Sequence, residues 1–190
     1  MLVDQKKGEM GKKKRLSKKD APSNITENET IMSQDDFIVS KTDTKGFITY
    51  CNEIFVDMSG YTAEDLIGAN HNIIRHPHMP QVAFKLLWDL LKNGKEFFGF
   101  VKNLRKDGGF YWVFAYITAD YDLNGNIVGY TSFRRKPPRS AIEQIEPVYR
   151  LLVDAERRGG MEASGALLAK FLKEHDTTYD ALVMNLQKGA

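Results

Sequence analysis

The chain has 190 residues, of which 42% are hydrophobic and 27% charged, proportions typical of a globular protein and unlike those of a disordered or collagen-like chain. Its one cysteine, Cys51, excludes an intramolecular disulfide and any zinc site built from several cysteines, and it indicates a reducing compartment. No apolar run approaches the roughly 18–20 residues that span a bilayer, and no apolar segment of a secretory signal follows the basic N-terminus. We therefore expect a cytoplasmic protein without direct membrane insertion.

The net charge of +2 is divided unevenly along the chain. Residues 1–28 carry eight Lys or Arg and four Asp or Glu, a net charge of +4, so the remaining residues carry a net charge of −2. Such a basic segment could contact nucleic acid or an acidic lipid surface. It has little apolar surface to bury, however, and a nucleic-acid reader is expected to carry its positive charge on the folded domain. The sequence therefore predicts a disordered basic tail over residues 1–28 and no nucleic-acid partner.

Strand-like runs lie on both sides of a helical middle segment. Residues 37–41 and 47–51 are short β-rich runs joined by a turn that contains Gly46, which predicts a β-hairpin. Three longer runs, separated by glycine-containing turns, follow at residues 98–105, 110–121 and 127–134. Between the two groups, apolar residues at a spacing of four predict a helix over residues 81–92. Strands grouped around a helical middle predict an α+β fold with an antiparallel sheet.

Residues 140–190 have the pattern of a helical extension. Apolar residues recur at helical spacing on both sides of Gly159-Gly160, which should break the helix. Pro147 is expected to kink the first helix or to reset its start. Apolar helix faces must lie against another surface, and the candidates are the sheet, another helix or a second protein.

Several pieces of sequence occur in the order and spacing of a PAS domain over residues 29–136. They are Asn52-Glu-Ile-Phe-Val-Asp-Met-Ser-Gly-Tyr-Thr62, Gly68, Asn103-Leu-Arg-Lys-Asp-Gly108 and Tyr111-Trp112. The piece His71-Asn-Ile-Ile-Arg-His-Pro-His-Met-Pro80, with Trp88 and Val101-Lys-Asn103, is similar to the flavin-binding PAS domain of bacterial aerotaxis receptors. The chain therefore resembles that branch of the PAS family, with residues 29–139 as the sensor domain.

This resemblance implies a PAS fold, with a five-stranded antiparallel sheet and short helices on one face, followed by the C-terminal helices. It also implies a non-enzymatic redox or energy sensor that binds FAD non-covalently. The arrangement is similar to split energy-taxis systems, in which a small soluble PAS protein works with a separate membrane-bound signalling protein. A methyl-accepting-type signalling protein or another transducer is the implied partner, and a homodimer is expected by family analogy.

Three polar residues are candidates for contacts with a flavin. Asn103 lies in an otherwise apolar strand, and its carboxamide can pair with the pyrimidine edge, although a solvent-facing asparagine is the alternative. Asn52 follows a strand end, where asparagine normally caps a helix, but the resemblance associates this position with the cofactor. Arg75 offers a planar fork for a phosphate or carbonyl edge, and the alternative is an ion pair with Asp57 or Glu64.

The resemblance implies further site residues, which are His76, Trp88, Phe97, Trp112 and Arg134. Trp88 lies on an amphipathic helix and is either a core residue or a stacking partner, and Phe97 stands where the receptors carry tryptophan. Trp112 and Tyr111 alternate along a strand, so only one of them can face inward. Arg134 stands where blue-light-sensing relatives have a glutamine that responds to the protonation state of the flavin.

Two departures and two alternatives accompany this interpretation. His78 replaces an acid that the receptors usually have, which raises the hypothesis of a pH-dependent redox potential. The segment Gly68-Ala-Asn-His71-Asn72 lacks the cysteine that flavin photoadducts require, so light sensing by an adduct is not expected. The alternatives are a haem-binding gas sensor with His71, His76 or His78 as axial ligand, and a cofactor-free PAS dimerisation module.

No catalytic motif is visible in the sequence. It contains no Gly-x-Gly-x-x-Gly turn, no phosphate loop ending in Gly-Lys-Ser/Thr and no metal-spaced His, Asp and Glu cluster. A nucleophile with an adjacent base is also not recognisable. We therefore expect the protein not to be an enzyme.

Overall fold

A five-stranded antiparallel sheet forms the centre of the computed structural model, which describes residues 15–189. Its strands are β1 (Ile38–Asp43), β2 (Ile48–Cys51), β3 (Phe97–Leu104), β4 (Phe110–Tyr121) and β5 (Ile127–Arg135). They lie in the order β2-β1-β5-β4-β3, so β3 is an edge strand. The α+β class and the antiparallel sheet predicted from the sequence are confirmed.

The turn between β1 and β2 is organised by the Asp43 side chain. Its Oδ1 accepts hydrogen bonds from the backbone N–H groups of Lys45 and Phe47, both at 2.9 Å. Gly46 has a φ of +81°, a conformation that L side chains rarely adopt. The hairpin predicted around Gly46 therefore forms for a local reason.

Short helices fill the interval between β2 and β3. They are α1 (Glu53–Ser59), α2 (Ala63–Leu66), a 3₁₀ turn at His71–Ile74, and α3 (Gln81–Lys92). Phe55, Leu66 and Ile73 from this group form a buried cluster with Tyr111 and Val113 of β4. The short helices therefore cover one face of the sheet, as the resemblance implies.

The C-terminal helices pack against the sheet domain. Helix α4 (Arg139–Glu174) is interrupted at Gly159 and Gly160, whose dihedral angles are not helical, and α5 (Tyr179–Lys188) follows. Pro147 differs from expectation, because it lies inside α4 and only the two glycines depart from helical geometry. The carbonyl that Pro147 leaves without its helical N–H partner is that of Glu143, an exposed residue that water can reach.

A buried hydrogen bond of Tyr149 helps to connect the first half of α4 to the edge strand. The Tyr149 hydroxyl donates to the Phe100 carbonyl at 2.9 Å, and the Tyr149 ring stacks on Trp112 with centroids 6.3 Å apart. Ile142, Ile145 and Leu152, on the same side of α4, are buried in the same apolar cluster. The apolar stripe recognised in the sequence is therefore covered by the protein's own sheet.

The segment before β1 differs from the predicted disordered tail. Residues 1–14 lie outside the described residues, but residues 15–28 lie on the domain. The Leu16 carbonyl accepts a hydrogen bond from Asn70 N–H, and Thr26 N–H donates to the Gly108 carbonyl at 2.9 Å. A Cβ at Gly108 would collide with the Asn24 carbonyl, so the close approach requires glycine there. Charge alone did not reveal that Leu16 contributes apolar surface to a buried cluster. Within the described part of the chain, no helix is both long and apolar enough to cross a membrane.

We predict that Tyr149→Phe lowers the free energy of unfolding by about 1 kcal/mol, because it removes one buried hydrogen bond and leaves the ring packing intact. Urea unfolding followed by circular dichroism would measure this. The matched control is Tyr116→Phe, whose hydroxyl donates to Glu96 at the surface, and it should change stability by less than about 0.5 kcal/mol. Equal losses in the two variants would contradict the prediction.

Candidate functional site

The register of the sheet places Asn103 and Arg134 on the same face. Asn103 of β3 lies opposite Tyr111 of β4, and Arg134 of β5 lies opposite Ala115 of β4. Directly opposed residues of an antiparallel pair point to the same side, and residues two apart along a strand do so as well. Asn103, Tyr111, Ala115 and Arg134 therefore share the face that α1 and the His71–Ile74 turn cover. We call this side the inner face.

Asn103 is a buried polar side chain on the inner face, with 3% of its surface exposed. Its Nδ2 has no hydrogen-bond partner within residues 15–189. Arg75 forms an isolated antiparallel bridge with Asn103, which brings the loop after the 3₁₀ turn next to the strand. The position therefore combines an unpaired donor with a nearby cation.

Arg134 places a charged guanidinium in the interior of the inner face, with 3% of its surface exposed. Its Nη2 donates to Ser40 Oγ, and its Cζ lies 4.5 Å from the centre of the Phe55 ring. Nε and Nη1 have no hydrogen-bond partner in the described part of the chain. Burial lowers the pKa of Arg134 to about 10, so the side chain remains protonated at pH 7.

His71 continues this polar group through Ser40. Its Nε2 lies 3.3 Å from Ser40 Oγ, and its ring stacks on Phe55 with centroids 5.6 Å apart. Burial, followed by the positive charge of Arg134, lowers the pKa of His71 to about 3. The imidazole is therefore neutral at pH 7. Ser40 Oγ accepts a hydrogen bond from Arg134, so the hydroxyl proton of Ser40 can be donated to His71 Nε2.

Arg75 lies where the loop before α3 meets the end of the inner face, and we call this place the mouth; the His76 ring instead lies 6.0 Å from the ring of Phe110, a residue of the outer face. The Arg75 Cζ lies 4.0 Å from the centre of the Phe84 ring, and Nη2 donates to the Met79 carbonyl at 3.4 Å. His76 Nδ1 accepts from His78 N–H, while its buried Nε2 has no partner within residues 15–189. Burial, with a smaller effect of the Lys102 charge, lowers the pKa of His76 to about 3.

A cavity of about 450 Å³ opens beside Arg75 and His76. Its other walls include Lys18 from the N-terminal segment, and Glu156 and Arg157 from α4. Burial lowers the pKa of Arg75 and the negative charge of Glu156 raises it, so the acid that acts on Arg75 belongs to α4. The sequence had instead offered Asp57 or Glu64 as its partner.

Trp88 and Phe97 lie at the opposite end of the inner face from Arg75. The Trp88 ring is half-buried and meets Tyr130 edge to face with centroids 5.2 Å apart. The buried Phe97 ring stacks with Tyr179 of α5 at 5.9 Å. Both residues are therefore part of the apolar wall around the inner face.

The structure places two of the predicted site residues elsewhere. Trp112 pairs with Lys102 in the register and points to the outer face, where it packs on Tyr149, so Tyr111 is the inward member of the pair. The Asn52 side chain is used by the backbone: its Oδ1 accepts from Phe55 and Val39 N–H, and its Nδ2 donates to the Phe37 carbonyl. The helix-capping alternative for Asn52 therefore describes its contacts.

Four residues of the inner face were absent from the predicted site, namely Ser40, Phe55, His71 and Tyr111. Ser40 carried a signal in the sequence, because alternation puts it on the same side as the buried Ile38. Tyr111 also carried one, because it alternates with Trp112 along β4 and one of the two had to face inward. Phe55 had no such signal and His71 was considered only as a haem ligand, since their proximity to Arg134 depends on how α1 and the 3₁₀ turn pack on the sheet. Chemically, the inner face offers buried donors and aromatic surface, and its mouth offers cations.

Comparisons with known proteins concern the sheet domain. Residues 48–134 match a family model described as PAS fold. The chain is 41% identical over 128 residues to the aerotaxis receptor of Escherichia coli, covering 67% of this chain and 25% of the receptor. It is 31% identical over 81 residues to phototropin-2 of Oryza sativa subsp. japonica, covering 43% of this chain and 9% of that protein. The chain thus spans about a quarter or less of these two relatives.

A solved structure of a light-oxygen-voltage domain, reported with a flavin analogue, superposes with a TM-score of 0.51 and 25% identity. The superposition covers 57% of this chain and 82% of that chain.

We predict that the free energy of unfolding falls as the pH is lowered below 6.5. His71 and His76 are neutral in the folded protein, with a pKa of about 3, and take up protons near pH 6.5 once the chain unfolds. The unfolded state therefore binds more protons, and the buried His76 alone contributes a slope of up to about 1.4 kcal/mol per pH unit. Urea unfolding at pH 7, 6 and 5 would measure the slope. His76→Gln should reduce it, and an unchanged slope in that variant would refute the assignment.

Proposed function

Given that residues 48–134 match the PAS fold, we propose that this chain binds FAD and acts as a non-enzymatic redox sensor that signals to a partner protein. The PAS fold expected from the resemblance is confirmed by the family match and by the solved structure. The observation that carries the proposal is the group of unpaired buried donors on the inner face, Asn103 Nδ2 and Arg134 Nε and Nη1. A buried donor without an acceptor costs about 1–3 kcal/mol, so these atoms favour a ligand that supplies acceptors.

The residues present fit a flavin. The pyrimidine edge of the ring system carries carbonyl oxygens and ring nitrogens that accept hydrogen bonds, and Asn103 and Arg134 offer donors from two strands of one sheet face. Phe55, Trp88 and Phe97 supply apolar surface for a planar ring. Arg75 and the neighbouring cavity supply positive charge toward the anionic tail. When bound, FAD accepts and returns electrons, which is the chemistry that these residues would sense.

Arg134 is the residue that we propose to tune the redox balance. Its guanidinium is buried and charged, and a fixed positive charge in a low-dielectric site favours added electrons. The neutral His71 beside Ser40 adds no second charge. His78 lines a cavity on the outer face with Lys102 and Glu146. Partial burial and the Lys102 charge lower its pKa, so any effect of its charge on the redox potential would lie at acidic pH.

The relatives support a sensor that takes part in signalling. The matched protein in Escherichia coli is named for aerotaxis, and the matched light-oxygen-voltage structure is reported with a flavin analogue. The chain spans about a quarter of that receptor, and the partner to which it would signal is part of the proposal. We propose that the partner is a membrane-bound methyl-accepting-type protein. The sensor would lie in the cytoplasm and form a homodimer.

Strand β3 offers a route from the inner face to α4. Lys102 is adjacent to Asn103 but points to the outer face, where its Nζ pairs with Glu146 of α4 at 3.0 Å and lies 4.0 Å from the centre of the Phe110 ring. Only 4% of the Lys102 side chain is exposed, so water screens its charge little. The strength of the ion pair therefore depends on the position of β3. We propose that a redox-dependent shift at Asn103 reaches α4 through this contact.

The first test of the proposal is the visible absorption spectrum of the purified protein before and after dithionite, with the released cofactor identified by mass. We expect flavin bands that bleach and FAD on release. Asn103→Ala should weaken FAD binding about tenfold, the equivalent of one hydrogen bond to a ligand. Arg134→Gln should lower the midpoint potential by about 30 mV, which for two electrons corresponds to about 1.4 kcal/mol. The matched control is Tyr116→Phe on the outer face.

Other outcomes of this test would overturn the proposal in distinct ways. A Soret band would indicate haem, with His76 as the first ligand to test because its Nε2 has no partner within residues 15–189. A colourless protein that takes up no added FAD would leave a cofactor-free interaction module. Equal midpoint potentials in the wild type and Arg134→Gln would remove the tuning role of Arg134 alone.

A second prediction concerns the route to α4. In the wild-type protein we expect amide hydrogen exchange over residues 139–158 to differ between the oxidised and reduced states. Lys102→Met should abolish this difference while FAD remains bound, because it removes the ion pair with Glu146 and keeps an apolar stem of similar length. Persistence of the difference in Lys102→Met would show that α4 responds by another route.

A further inference from the structure

Three distant parts of the chain meet around the cavity of about 450 Å³. Lys18 comes from the N-terminal segment, Arg75 and His76 from the loop before α3, and Glu156 and Arg157 from the first half of α4. Only the loop belongs to the part of the chain that matches the PAS fold, residues 48–134. The cavity therefore exists only when both terminal segments are docked.

Positive charge is concentrated at this cavity. Lys18 donates to the Arg75 carbonyl, and burial together with the nearby Arg75 charge lowers the pKa of Lys18. Two cations are thus held close enough to repel each other. A lysine ammonium has three protons, so the contact with the carbonyl leaves donors available for a ligand.

The acid at the cavity is committed to other contacts. Glu156 Oε1 accepts from Val82 N–H at 2.9 Å, at the start of α3, and from Ser164 Oγ at 3.0 Å. Arg157 Nη1 lies 3.2 Å from Asp154, but both side chains are largely exposed, and a surface pair of this kind is weak. The remaining charge of Lys18, Arg75 and Arg157 therefore favours an anion.

We propose that this cavity is a pyrophosphate-binding site in which Lys18 and Arg157 hold the anionic tail of the flavin cofactor, alongside Arg75. The inference rests on the proposed function and extends it to the two terminal segments. Arg75 lines the cavity and its backbone pairs with that of Asn103, so the cavity lies beside the strand that carries Asn103. Because Lys18 and Arg157 lie outside the sheet, cofactor binding and the docking of both segments stabilise each other.

The proposal predicts that the two cations distinguish FAD from riboflavin. Dissociation constants of both compounds would be measured by fluorescence for the full chain and for Lys18→Gln and Arg157→Gln. The matched controls are Lys19→Gln and Arg158→Gln, the exposed neighbours of the two residues. We expect each cavity variant to weaken FAD about three- to tenfold and to leave riboflavin unchanged, since riboflavin lacks phosphates. The controls should stay within twofold of the wild type.

Salt provides an independent measurement. FAD binding to the wild type should weaken as the salt concentration rises, and this dependence should be shallower in both cavity variants, because each removes one cation from the contact. Competition with inorganic pyrophosphate separates the two sources of the anion. Displacement of FAD but not of riboflavin supports occupation by the cofactor tail, whereas pyrophosphate binding with no effect on FAD assigns the cavity to a free anion and overturns the proposal.

The failures of the two proposals are distinguishable. If FAD binds to the wild type and to both cavity variants with equal affinity, the pyrophosphate site is refuted and the flavin sensor stands. If riboflavin is weakened as much as FAD, Lys18 and Arg157 act on the folded state and the inference fails. If no flavin binds to any variant, both proposals fail together.

Discussion

The alternation of side chains along β3 is the constraint on which the rest of this structure depends. A strand presents successive residues to opposite faces, so Asn103 can point to the inner face only if Lys102 points to the outer one. The same parity sends Tyr111 inward and Trp112 outward. As an edge strand, β3 also offers free backbone groups, and Tyr149 uses one of them. The candidate site therefore lies on one side of β3, and the helical extension packs on the other side.

Electrostatics on the two faces follows from burial. On the inner face, Arg134 is charged without an acid beside it in the contacts described here, and His71 is neutral because burial opposes its protonation. On the outer face, the buried Lys102 is balanced by Glu146 and by the Phe110 ring. A charge that is balanced suits a structural contact, whereas a buried charge with unpaired donors suits a ligand.

The terminal segments change what kind of sensor this would be. Lys18 and Arg157 complete the walls of the cavity, and α4 carries Glu146 and Tyr149 against the sheet. A ligand at the mouth would therefore touch the same helix that β3 contacts from the outer face. Loss of the ligand and movement of β3 would both change the contacts of α4. A partner that recognises α4 would therefore respond to either change.

The sequence by itself determined the strands, the hairpins and the helices, because turn glycines, alternation and helical spacing are local signals. It singled out Asn103 as a polar residue in an apolar strand, whereas Arg134 came from the family resemblance. Only the tertiary structure decided that Trp112 faces α4, that Asn52 is consumed by backbone contacts, and that Ser40 and His71 adjoin Arg134. It also brought Lys18 and Arg157 to Arg75. These placements depend on strand register and on the docking of separate segments of the chain, which no local pattern encodes.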